Sequence, residues 1–295
     1  MNKLELSKKI ISNDISRKKL TMFYNNGFNK VLGIKIADIL EILANYINSN
    51  PNDDKVLEGY ILFLIGSFIN ILPEEMNLIN DYSKKIISDT SNSKAKKLIV
   101  LYSAIMTEAK KNNLDVVFNI DYDNENILEM RPSICKNNIK GIIAISDNVL
   151  NLSLTELLFA GFHELKHLKD LASLNNGKLD SKSKVEALME FVIVFIEGNN
   201  EVYFENHDSF TIEKRADRFA FMKTKDFIEE NYNRNKKIEA LKCIREIYSN
   251  RENNFSEYYI KKIVRQAFLN IVRNKKTEIK ELSLYLKPLK ILKNK

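Results

Sequence analysis

Two of the three histidines in this 295-residue chain, His163 and His167, stand four positions apart with Glu164 beside the first, in the order His-Glu-Leu-Lys-His. On an α-helix that spacing leaves the two rings about 40° apart around the axis and about 6 Å apart along it, so both can reach one metal ion at about 2.0 to 2.1 Å. Glu164 is turned about 100° from His163, which disfavours it as a third ligand and suits it to face a metal-bound water. A zinc ion with three protein ligands lowers the pKa of such a water to about 7, and a neighbouring carboxylate can take its proton during attack on a carbonyl. These residue types point to hydrolysis, with Zn2+ as the expected cofactor, His163 and His167 as ligands and Glu164 as the catalytic base.

The positioning elements follow from the residues around the motif. Leu154, Leu157, Leu158, Phe162, Leu165, Leu168 and Leu171 recur at steps of three and four and predict a buried helix. Ser153 and Glu156 make a capping box at its start. Gly161 is costly inside a helix and is explained by a close backbone approach, as beside a sheet edge. The plainer alternative is a core helix with two satisfied histidines.

A tetrahedral site needs a third protein ligand, and a second predicted helix at 213–222 carries Glu213 and Asp217 one turn apart. Glu213 is the candidate ligand. Asp217 is placed to accept a hydrogen bond from the outer nitrogen of one histidine, fixing its tautomer. The small Ala216 and Ala220 allow this helix to pack closely on the first, although an exposed charged helix would show similar carboxylates. Asp170 lies on the motif helix, too near the histidines to complete a tetrahedron comfortably. His207 and Tyr203 precede the second helix and are candidates to polarise a carbonyl or steady a tetrahedral intermediate. Lys166 projects to another face from Glu164 and need not disturb the site.

The run Glu213-x-x-Ala216-Asp217-x-Phe219-Ala220 after His163-Glu164-x-x-His167, preceded by a strand-like segment at 141–146, resembles the ImmA/IrrE-type zinc metallopeptidases over residues 91–222. The resemblance implies a minimal zincin core with a glutamate third ligand, and a protein substrate of the kind that family cleaves, a DNA-binding repressor of a mobile element or stress regulon. Carried over, His163, His167 and Glu213 would bind zinc and Glu164 would be the base.

The rest of the chain frames that core. With 44% hydrophobic residues, only 4 Pro and 8 Gly, long helices joined by short turns are expected. The fold class is mainly α with a small β-sheet (α+β), a zincin-like core at 91–230 lying between a helical region at 1–90 and a basic helical region at 231–295. A helix at 93–111 and strands at 114–120, 127–132 and 141–146 open the core. The apolar runs at 191–196 and 202–204, around Gly198-Asn-Asn200, predict a β-hairpin, and 175–184 a charged loop. The N-terminal region has helical periodicity, as at Ile36, Ile39, Leu40, Leu43 and Ile47, and is a packing bundle or a partner-binding or sensor module.

Charge is unevenly spread. Residues 231–295 hold 17 Lys plus Arg against 6 Asp plus Glu, a balance of +11, so the first 230 residues carry −4 of the +7 total. At 258–273, Lys and Arg interleave with apolar residues at helical spacing, giving a solvated charged face or a surface for nucleic acid or another acidic partner. The apolar run at 60–72 falls short of the roughly 20 residues that span a bilayer, and the first residues lack an apolar signal core. No membrane partner and a cytoplasmic location are therefore expected, with Cys135 and Cys243 as reduced thiols. The leading expectation is a zinc endopeptidase acting on a protein target. The competing one is a non-catalytic zinc-binding regulatory module acting through protein or nucleic-acid binding.

Overall fold

The computed structural model describes residues 57–285 except 59–60, 63, 66–70, 72, 88–92, 122–127, 136–137, 147, 177–181, 198–206 and 252–256. The periodicity noted at 36–47 and Tyr203 lie outside the described residues. Among the described residues the order is α1 (Pro73–Ile87), α2 (Lys94–Lys111), β1 (Asp115–Asp121), β2 (Leu128–Cys135), β3 (Asn138–Ser146), α3 (Leu154–Asn176), α4 (Lys182–Glu197), α5 (Thr211–Asn231), α6 (Arg234–Arg251), α7 (Glu257–Asn274) and α8 (Lys276–Tyr285). Short 3-10 turns occupy Asn148–Asn151 and His207–Ser209. The fold is thus mainly helical with one small sheet, as the sequence predicts.

The α2 helix is the central post. Ser93 caps it by accepting the Lys96 N–H at 3.2 Å. Burial extends around the helix, from Leu98, Leu101 and Ile105 to Ile99, Val100 and Ala104, because α1, α3 and β1 surround it. It ends at Asn113, whose left-handed φ of 53° lets the Leu114 N–H reach back to the Ala109 carbonyl at 3.0 Å.

The sheet has the order β1-β3-β2, with β1 parallel and β2 antiparallel to β3. Strand β2 is an edge, with Met130 opposite Ile143. Helix α3 packs on β2 and β3. Gly141 makes the approach possible, since a Cβ there would stand 2.5 Å from Leu168 Cδ2. The sequence expectation that Gly161 marks a neighbouring backbone is corrected: its missing Cβ makes room for the Leu101 and Ile105 side chains of α2.

The first arm of the predicted hairpin is corrected as well, while its second arm at 202–204 lies outside the described residues. Residues 191–196 belong to α4, with Phe191, Val192 and Ile193 buried beside Ala187 and Leu188. A run of Phe, Val and Ile is as compatible with a fully buried helix as with a strand, and packing against α7 decides between them. The expected charged loop shortens too, because α3 runs to Asn176 and α4 begins at Lys182. Helix α7 presents Ile260, Val264 and Ile271 to the core and exposes Lys262 and Arg265, the two-faced pattern expected at 258–273. One hydrophobic cluster runs from Leu57 through the α3 leucines to Ile271, and it includes the buried Ile61, Leu62, Leu64 and Ile65 of the apolar run at 60–72. No helix among the described residues is long and apolar enough to cross a membrane.

Candidate metal centre

Helix α3 begins with the expected capping box. The Ser153 N–H donates to Glu156 Oε2 at 2.7 Å, and the Glu156 N–H donates to Ser153 Oγ at 3.2 Å. The helix then carries His163 and His167 to the surface that α5 covers. Ala216 and Ala220 on α5 are fully buried, so small side chains at that crossing let Glu213 and Asp217 reach across.

The result is a compact set of donors. His163 Nε2 lies 3.0 Å from His167 Nε2 and 3.0 Å from Glu213 Oε2, and His167 Nε2 lies 3.3 Å from the same oxygen. Three corners of a tetrahedron with bonds of about 2.05 Å are about 3.3 Å apart, so this triangle has the size that a zinc ion requires. Two ring nitrogens and a carboxylate oxygen this close need a cation or a proton among them, which is the chemical sense of the arrangement. The donor set can hold a metal ion.

The outer contacts fix the ligands. His163 Nδ1 lies 2.8 Å from Asp217 Oδ1, so a proton on Nδ1 donates to the carboxylate and the Nε2 lone pair faces the centre. The same Asp217 oxygen accepts from Arg251 at 2.9 Å, and the Arg251 guanidinium lies 5.4 Å from the Phe159 ring centroid. Sequence reasoning missed Arg251, which sits 34 residues beyond Asp217 at the end of α6. It also missed Glu190 of α4, whose carboxylate accepts the Thr211 and Ile212 N–H groups at 2.9 and 2.8 Å. Phe210 supplies no side-chain cap to α5, so Glu190 satisfies two of its initial donors and sets the turn that carries Glu213.

Electrostatics follow from burial and these contacts. Burial disfavours the charged form of His163, but the hydrogen bonds to Asp217 and Glu213 outweigh it and raise its pKa to about 10. Burial pushes Glu213 up, yet the neighbouring His167 and His163 hold its carboxyl well below the usual carboxylate range. Without a metal ion, a proton on His163 serves as the cluster's cation.

Glu164 does not join the triangle. Its Oε2 accepts the Met130 N–H at 2.8 Å, which ties the carboxylate to the outward edge of β2. Asp170 is likewise elsewhere, bound to Lys166 and, at 3.0 Å, to Arg215. His207 opens the 3-10 turn before α5, and Tyr203 is outside the described residues. Cys243 is a free, half-buried thiol on α6.

Scanned against protein-family models and searched against curated proteins and solved structures, the chain matches none of them. The reading of the site therefore stands on its geometry and chemistry.

Proposed function

We propose that the chain is a zinc-dependent endopeptidase that hydrolyses a peptide bond in a protein target. The observation that carries the reading is the triangle of His163, His167 and Glu213 donors, with Asp217 behind it and Glu164 beside it on a sheet edge. Two imidazoles and one carboxylate suit zinc among the common divalent ions, and three protein donors leave a position open for chemistry. The sheet, α3 and α5 are read as a zincin-like core, and the motif order resembles the ImmA/IrrE-type peptidases. That resemblance makes a DNA-binding repressor the substrate to try first.

When bound, zinc supplies Lewis acidity, polarising a carbonyl and lowering the pKa of water toward 7. The protein's own residues do the rest. Asp217 keeps the His163 proton on Nδ1, and Arg251 holds Asp217 in place. Glu164 accepts a proton at its carboxylate during attack and returns it to the leaving amine. An extended substrate segment would lie along β2, using outward backbone groups of the strand that also orients Glu164.

The test is direct. Purified protein should contain one zinc per chain and cut a candidate repressor, while Glu164→Gln should retain the metal and lose cleavage by about 10² to 10⁴-fold. Undiminished cleavage by the Gln variant would sink the assignment of the base. A cellular response that persists with the Gln variant would point to a zinc-binding regulatory module.

A further inference from the structure

A sizeable cleft lies away from the metal centre. It has a volume of about 770 Å³ and sits at the N-terminal end of α3, lined by the end of α1, the first turns of α2 and α3, and the first half of α6. A cleft of this size accommodates a ligand of drug or nucleotide dimensions. Thr155 in its wall precedes His163 by eight residues, about 12 Å along the helix, so it is a separate place in the fold.

The lining has a specific chemistry. Lys94, Lys96, Lys97 and Lys236 line it, against the single carboxylic residue Glu239. Lys97 is only 8% exposed, yet its Nζ has one described hydrogen bond, 2.7 Å to the Leu152 carbonyl. An ammonium has three donors, so two remain to reach an anion in the cleft that Lys97 lines. Burial and the nearby Lys94 lower the Lys97 pKa, with Glu156 offsetting part of the effect. Lys236 Nζ lies 3.3 Å from the Ile87 carbonyl, placing a second ammonium across the cleft between α6 and α1. The first turns of α2 and α3, capped by Ser93 and Ser153, also line the cleft and add the positive ends of two helix dipoles. Ile86, Val100, Leu150, Tyr232 and Ala240 supply an apolar wall beside these cations.

We infer that this cleft binds a small phosphate-bearing molecule with an apolar, planar body, of the nucleotide class. The lysines and helix starts take the phosphates, and the wall with Tyr232 takes the base. The site does not depend on the peptidase reading, because none of its residues belongs to the metal cluster.

Cys243 lines the same cleft and provides a local reporter. In a Cys135→Ser background with zinc bound and magnesium in excess, ATP near a hundred times its Kd should raise Tm by several degrees and slow thiol modification of Cys243 at least tenfold. Tripolyphosphate should bind at least tenfold more weakly than ATP. Lys97→Met should abolish the protection. Lys96→Glu combined with Lys236→Glu, at half-exposed positions, should do the same while zinc content and the nucleotide-free Tm are unchanged. No protection by millimolar ATP, or protection that survives the charge reversals, overturns the inference. Equal binding of tripolyphosphate overturns the nucleotide class.

Discussion

The middle and the N-terminal end of α3 handle charge in opposite ways. At the metal centre His163 stands between Asp217 and Glu213, and Asp217 is in turn matched by Arg251, so each charge has a neighbour of opposite sign. At the α3 N-terminus lysines from two helices gather around a cleft with one carboxylic residue in its lining. The first arrangement is closed and braced from three helices. The second keeps volume open and concentrates one sign of charge, which favours capture of a mobile anion over geometric precision. The same helix can therefore support a rigid site and a receptive one, because different neighbours cover its middle and its start.

Variants at the braced site test that contrast most severely. Glu213→Ala removes a corner of the triangle and should weaken zinc binding more than about a hundredfold, measured by competition with a chromophoric chelator; undiminished affinity would show that the third ligand lies elsewhere. Asp217→Ala should cost about 10- to 100-fold in the same assay, and Arg251→Met less, since it acts only through Asp217. If Arg251→Met costs as much as Asp217→Ala, the order of the chain from Arg251 to Asp217 to His163 is wrong.

Glu190→Ala leaves the Thr211 and Ile212 N–H groups without their acceptor and should destabilise the fold by about 1 to 3 kcal/mol, read from urea unfolding. A further test concerns pH. The His163 pKa rises from 6.5 unfolded to about 10 in the folded, metal-free protein, so its contribution to stability is fully present below 6.5 and lost as pH rises through about 10. Melting in the presence of a chelator should fall across that window. The zinc-loaded protein should lack this component, because metal replaces the proton; identical slopes in both forms would contradict the site.

Part of this was legible in the chain because helix periodicity is local. The spacing of His163, Glu164 and His167, the Ser153–Glu156 box and the Glu213–Asp217 step need only 3.6 residues per turn to be interpreted. Arg251 was illegible because its partner is 34 residues away and nothing in α6 distinguishes it from the other cations of a basic segment. Glu190 was hidden inside a stretch whose Phe, Val and Ile content suggests a strand. Gly161 signalled close packing correctly, but a glycine says only that space is needed, and the space is taken by Leu101 and Ile105. The cleft was invisible for a similar reason: its lysines become one feature only when α2 and α6 meet.

Glu190 has a consequence for how this protein can change over generations. Since a carboxylate on α4 grips the first N–H groups of α5, the number of residues joining the two helices does not set where Glu213 points. Insertions and deletions between Glu197 and His207 can then accumulate without dismantling the metal triangle, making that junction a place where new recognition sequence can be trialled at little cost to the chemistry.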